Sequence, residues 1–171
     1  VMNCKTGAIY AMATETDYNL NDPSYIYDEK TSLALAGLEM SGDMEEYYNQ
    51  RSLAWNLQWT NKAISSLYFP GSVFKVVTGS AALEENAISL SDTFYCDGET
   101  EVQGVIFHCW TTHGGHGTQN FVQAMTNSCN PAFVEIGQRL GAKLFCHYFD
   151  AFGLTQKTGI DLPAEAVSLY A

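Results

Sequence analysis

The sequence predicts a mixed α/β chain of the α+β type, with one β-hairpin at the N-terminus and a mostly helical body behind it. Three observations carry that prediction. Residues 1–13 set the turn-forming Lys5-Thr6-Gly7 between two short apolar stretches, which reads as a hairpin. Apolar residues then recur at helical spacing in several separate runs. Residues 93–110 break that pattern and read as strand-like or irregular. A lone two-stranded hairpin is marginal in water, so it must either join a larger sheet or pack on the helices.

Taken in order, Tyr18-Asn19-Leu20-Asn21-Asp22-Pro23 reads as a loop, because Asn, Asp and Pro offer local hydrogen bonds and a fixed φ in place of ladder pairing. Residues 31–44 hold two glycines and no clear period, and read as a flexible connection. Over residues 45–68, Leu53, Leu57, Ala63, Ile64 and Leu67 fall roughly on one helical face, with Trp55 and Trp59 on an adjoining one. A long, broken helix is expected there. Pro70-Gly71 stops it, and Ser72 reads as the N-cap of a new run reaching Leu83. After the Gly-rich loop Thr112-His113-Gly114-Gly115-His116-Gly117, helices are predicted over residues 119–127, 131–140 and 142–152.

Composition narrows the function classes. At 171 residues and 46% hydrophobic content the chain can bury one sizeable core. Its 19 acidic against 8 basic residues, a formal charge of -11, provide no basic stripe for phosphates, so nucleic acid is excluded as a partner. No apolar run approaches the roughly 18 to 20 residues that span a bilayer, and the N-terminus has no signal-peptide pattern; any anchor is expected outside this chain. Cys4, Cys96, Cys109, Cys129 and Cys146 are odd in number, so at least one has no partner within the chain.

Two motifs carry chemistry. In Pro70-Gly71-Ser72-Val73-Phe74-Lys75, a serine opens a helix and a lysine follows one turn later on the same face. A serine hydroxyl is a weak nucleophile that needs a base, and a lysine made neutral by burial can be that base. The helix N-terminus adds free N–H groups and partial positive charge for a developing oxyanion. By itself the pattern fits an N-cap serine and a solvated lysine better. Its company is Ser128-Cys129-Asn130-Pro131, where Ser128 can relay a proton and the Asn130 amide can hold a substrate carbonyl or amide. The structural alternative is that Ser128 and Asn130 end one helix and cap the next, with Pro131 at its first position.

With these blocks together the chain resembles the transpeptidase domain of class B penicillin-binding proteins along its whole length. The resemblance also covers the opening Val1-Met2-Asn3 and Lys5-Thr6-Gly7-Ala8-Ile9-Tyr10, the Asn19-to-Pro23 loop, Asn61-Lys62-Ala63-Ile64, Gly115-His116-Gly117, and Lys157-Thr158-Gly159-Ile160-Asp161-Leu162-Pro163. It implies a penicillin-binding/serine β-lactamase-like fold, of which residues 1–171 are a partial domain: hairpin plus mostly helical subdomain, with most of the central antiparallel sheet absent. It further implies that Ser72 is acylated by D-Ala-D-Ala stem peptides of peptidoglycan and by β-lactams, that Lys75 takes the serine proton, that Ser128 passes protons on, and that Asn130 binds substrate. No cofactor is implied. The whole protein would work at the extracytoplasmic face of a bacterial membrane, while the isolated piece would be inactive and prone to self-association. A serine β-lactamase and a non-catalytic β-lactam sensor are the competing readings.

Lys157-Thr158-Gly159 looks like the family's third active-site signature but is read here as a decoy. The active-site version is followed by Thr or Ser on a strand edging the cleft, whereas Ile160 stands in that place. Cys96, Cys109, His113 and His116 admit three readings: a Cys96–Cys109 disulfide, two free thiols, or a zinc ligand set of non-standard spacing built on Cys96, Cys109 and His116. The leading expectation is no metal, with His116 shaping its loop. Cys129 reads as a small buried residue, and Trp110 as core or as an exposed neighbour of the cleft.

Overall fold

The structure, a computed structural model, describes residues 1–112 and 114–169. The backbone divides into two compact units, one of Val1–Leu67 with Asp161–Ala166 and one of Tyr68–Ile160 with the chain from Val167 on.

In the first unit the N-terminal hairpin is reduced to a single antiparallel bridge, Met2 to Ile9. Asn3 organises its turn, accepting at Oδ1 from the Lys5 and Thr6 N–H groups. Residues 31–44, expected to be a flexible connection, instead belong to helix α1 (Glu29–Ser41) and the start of α2 (Met44–Trp59). The reason lies at the ends. Asp28 caps α1 by accepting from the Thr31 N–H at 2.8 Å, Gly42 closes it in the left-handed region at φ 80, and Asp43 caps α2. The break in the long helix falls at Thr60-Asn61, before the short α3 (Lys62–Ser65).

Trp55 and Trp59 stack with centroids 5.8 Å apart, and their indole N–H groups donate to the Ser24 and Pro23 carbonyls, which fastens the Asn/Asp/Pro loop. Ser65 Oγ donates to the Ala164 carbonyl and the Ala166 N–H to that of Ile64, so the Asp161-Leu162-Pro163 segment belongs to this unit.

The second unit holds the core. A 3-10 turn (Gly71–Phe74) leads into α4 (Lys75–Glu84), followed by strands β1 (Thr93–Cys96), β2 (Glu99–Val102), β3 (Val105–His108) and β4 (Gly117–Asn120), then α5 (Phe121–Thr126), α6 (Asn130–Leu140) and α7 (Ala142–Ala151). β1 pairs antiparallel with β4, Phe94 opposite Gln119, and β2 pairs with β3. The alternation of β1 turns Phe94 and Cys96 inward and Thr93 and Tyr95 outward. On α6, Ala132, Phe133, Ile136 and Leu140 are buried at helical spacing and meet Ala81 and Ala82 of α4 together with Phe121 and Ala124 of α5. Burying Phe94 fully contributes about 1.5–3 kcal/mol. β4 lies where a helix was expected to begin. Asn120 sets the boundary, because its side chain and that of Gln123 form a capping box that starts α5 only at Phe121.

Candidate active site

Pro70 fixes the approach and Gly71, at φ +58, takes a left-handed turn that suits a residue without Cβ. The helical turn therefore starts at Gly71, so Ser72 lies inside it and not at the expected cap position, which Pro70 fills. The Ser72 hydroxyl stands 3.2 Å from Lys75 Nζ. Lys75 is the first residue of α4, one turn on, as the spacing predicts.

The second half of the site is the α5–α6 junction. The Ser128 N–H donates to the Met125 carbonyl and the Cys129 N–H to that of Ala124, a Schellman closure of α5 whose left-handed position is Ser128 at φ +50. Glycine is the usual occupant of that position, and a serine there costs roughly 1–2 kcal/mol. The turn aims both Ser128 oxygens at Lys75, with Nζ 2.7 Å from the carbonyl and 3.0 Å from Oγ. Cys129 takes the cap position of α6 and makes no side-chain cap bond, so Asn130 is already the first helical residue. Its side chain therefore does not cap: Oδ1 accepts from Lys75 at 2.7 Å and Nδ2 donates to the His108 carbonyl at 2.9 Å. Ser72, Lys75, Ser128 and Asn130 thus share one ammonium group, all within the second unit.

Proton counting shows what this cluster can do. A charged lysine has three N–H donors and no acceptor, while four oxygens surround Nζ. A neutral lysine keeps two N–H groups, enough for the two carbonyl-type acceptors at 2.7 Å, and turns a lone pair to the hydroxyls. Burial holds the Lys75 amine below its usual value of 10.5, opposed by the negative charge that the Cys109 and Cys129 thiols carry when ionised. The Lys75 ammonium also lies 5.6 Å from the Phe133 ring centroid.

The family model for the penicillin binding protein transpeptidase domain matches residues 1–171. The chain belongs to that family. Its residues are 38% identical to Stage V sporulation protein D of Bacillus subtilis over 98% of the chain, and 31% identical to the peptidoglycan D,D-transpeptidase PbpA of Mycobacterium tuberculosis over 87% of it. The chain spans only 22% and 28% of the length of those two relatives. Among solved structures it superposes on penicillin binding protein 3 of Mycobacterium tuberculosis with a TM-score of 0.62 and 32% identity, covering 67% of this chain and 25% of that one. The same protein has been solved in complex with aztreonam and with ampicillin. The mixed helix-and-strand architecture is that of the transpeptidase fold.

Against this transpeptidase frame, Lys157 lies on an exposed, irregular stretch after α7, outside the group of side chains around Lys75. Trp110 is exposed, and its indole N–H donates to the Asn127 carbonyl at the base of the Ser128 turn. Cys96 and Cys109 are free thiols, so the disulfide reading is not realised in the structure. His113 lies outside the described residues. Burial pushes the Cys129 thiol up to about 12. Cys129 is fully buried, as expected, but its sulfur joins Cys96, Cys109 and His116, a set the sequence spacing offered without it. Its place between Ser128 and Asn130 was the one available signal.

Proposed function

We propose that this chain carries the nucleophile, base and proton relay of a peptidoglycan D,D-transpeptidase. The observation that carries the reading is the position of Lys75 Nζ, within hydrogen-bonding distance of both Ser72 Oγ and Ser128 Oγ. Ser72 Oγ attacks the carbonyl carbon of the penultimate D-alanine of a stem peptide, and its proton passes to Lys75. The C–N bond to the terminal D-alanine breaks, and that leaving amine receives a proton from Lys75 by way of Ser128. An amine of a neighbouring stem then attacks the Ser72 ester, forming the cross-link and returning the Ser72 hydroxyl. A β-lactam acylates the same oxygen by opening its ring amide. Asn130, already held by Lys75 and the His108 carbonyl, is rigid enough to present its amide to the substrate.

Residues 1–171 are proposed to be one part of the transpeptidase domain, working at the extracytoplasmic face of a bacterial membrane. Among the described residues no helix is long and apolar enough to cross a membrane. The sequence has no Lys-Thr-Gly followed by Thr or Ser, the pattern that the family resemblance assigns to the strand binding the substrate carboxylate. On their own, residues 1–171 are expected to label poorly with penicillin. They also expose Tyr68, Phe69 and Val73 beside the nucleophile and are expected to associate, which light scattering tests.

The deciding experiment treats the whole protein that carries this chain with a fluorescent penicillin and maps the label. A stable adduct on Ser72, lost in Ser72→Ala, is expected. Absence of label on Ser72 in the folded protein refutes the reading, and rapid hydrolytic loss of the label assigns a β-lactamase instead.

A further inference from the structure

Behind the Lys75 cluster lies a second group of side chains that acyl transfer does not use. The sulfurs of Cys96, Cys109 and Cys129 and one ring nitrogen of His116 all lie within 4.8 Å of one another. The three cysteines are buried, and His116 covers them from the Gly-rich loop. His116 Nδ1 stands 3.7 Å from Cys96 Sγ and 3.5 Å from Cys109 Sγ. A tetrahedral zinc ion, with Zn–S of about 2.3 Å and Zn–N of about 2.05 Å, separates a sulfur ligand from a nitrogen ligand by about 3.6 Å. Those two edges therefore already have the length such an ion requires.

The surroundings point the same way. Gln119 is 3% exposed, and among the described residues its Nε2 meets no acceptor at hydrogen-bonding distance, although a buried amide donor left unpaired is costly. Its Oε1 accepts from the Asn127 amide, and its strand pairs with the one that carries Cys96. The loop geometry is also committed. Gly115, at φ +85, lies so close to the backbone of Cys96, Asp97 and Gly98 that a Cβ would collide with it, and this contact seats His116 over the cysteines.

We propose that Cys96, Cys109, Cys129 and His116 form a closed, four-coordinate zinc site that holds the Ser128–Asn130 segment in place. Three thiolates and an imidazole are the donor set of a structural zinc centre, soft enough to exclude magnesium and calcium. With all four positions filled by protein, no coordination place is open for water or substrate, so the ion positions residues and does no hydrolysis. Its reach into the active site is short. Cys129 is the residue between Ser128 and Asn130, and Cys109 follows His108, whose carbonyl holds the Asn130 amide. The site stands without the acyl-transfer reading, while its effect on Ser72 rests on that reading.

The test measures metal by mass spectrometry in the whole protein, purified reduced and without added metal. About one zinc per chain is expected, falling at least tenfold in Cys96→Ser and His116→Ala and unchanged in Cys4→Ser and Cys146→Ser, whose thiols are exposed. Because a ligand variant can fail to fold, wild-type protein is also stripped with a chelator and titrated with cobalt. The intense visible bands of a tetrahedral cobalt thiolate are expected, with a change in fluorescence from Trp110, whose ring centroid lies 5.5 Å from that of His116. Folded wild-type protein without metal that gives no cobalt bands overturns the site, as does a mapped Cys96–Cys109 disulfide or a His116→Ala variant that keeps its zinc. In the stripped protein, penicillin labelling of Ser72 is expected to slow about 10-fold or more. A labelling rate unchanged by zinc removal, in protein whose wild-type form labels normally, overturns the positioning role and leaves the acyl-transfer reading standing.

Discussion

Ser128 combines a left-handed backbone position with a hydroxyl beside Lys75, and a pair of substitutions separates the two. Ser128→Ala and Ser128→Gly both delete the oxygen 3.0 Å from Lys75 Nζ, so both lose a hydrogen bond of about 0.5–1.5 kcal/mol and the proposed relay. They differ in the backbone. Alanine keeps the left-handed penalty of roughly 1–2 kcal/mol at φ +50, which glycine escapes. Glycine gives back roughly 0.5–1 kcal/mol through the greater freedom of the unfolded chain. The balance leaves Ser128→Gly more stable than Ser128→Ala by up to about 1.5 kcal/mol, centred near roughly 0.75, the reverse of the order in a helix interior. Urea denaturation with unchanged m-values reads the difference directly. Both variants are expected to label with penicillin about 100-fold more slowly than wild type, or worse. A Ser128→Ala protein as stable as Ser128→Gly would refute the reasoning, because the closure of α5 would then carry no left-handed cost.

Lys75→Met is expected to slow acylation of Ser72 by about 10²- to 10⁴-fold while the protein still melts cooperatively; stopped-flow labelling with a thermal melt on the same sample checks both. In the wild type, burial lowers the Lys75 pKa below 10.5, so the neutral base is depleted as pH falls through that lowered value and the acylation rate falls with it. The unfolded state binds the proton more tightly, so this group makes stability rise with pH between the lowered value and 10.5, measurable as an upward trend in urea midpoints. Phe94→Ala, in a position only 1% exposed, should cost about 3–5 kcal/mol by chemical denaturation. Gly115→Ala should destabilise by about 2 kcal/mol or more, because a Cβ there collides with backbone that has no side-chain freedom. Lys157→Ala should leave the labelling rate of Ser72 within about twofold, and a hundredfold loss would restore Lys157 to the active site.

Legibility followed the strength of the local signal. α6 and α7 were read almost to the residue, because Ala132, Phe133, Ile136 and Leu140 mark one face of α6 and Gly141 separates the two helices. α1 went unread because its apolar residues do not share a face: Leu35 is buried while Leu33 and Met40 stay in solvent. Its real signals were Asp28 before it and Gly42 after it. β4 was hidden by Phe121 and Ala124, whose helical spacing extends back over Gln119, a residue whose burial comes from pairing with β1.

The sequence by itself determined which groups are proposed to react. Ser72 and Lys75 lie one turn apart on a helical segment, a relation set by helix geometry alone, and their company with Ser128-Cys129-Asn130 placed the chain in its family. Only the tertiary structure decided what those groups touch. Packing of α4 on α6 brings Lys75 to Ser128 and Asn130 across 53 and 55 residues, and the left-handed turn at Ser128 aims both its oxygens at one amine. The same junction turns Cys129 inward toward cysteines from β1 and the end of β3, a meeting that sequence spacing could not show. Distances along the chain fix neighbours within a helix, whereas a convergent site depends on which faces the core brings together.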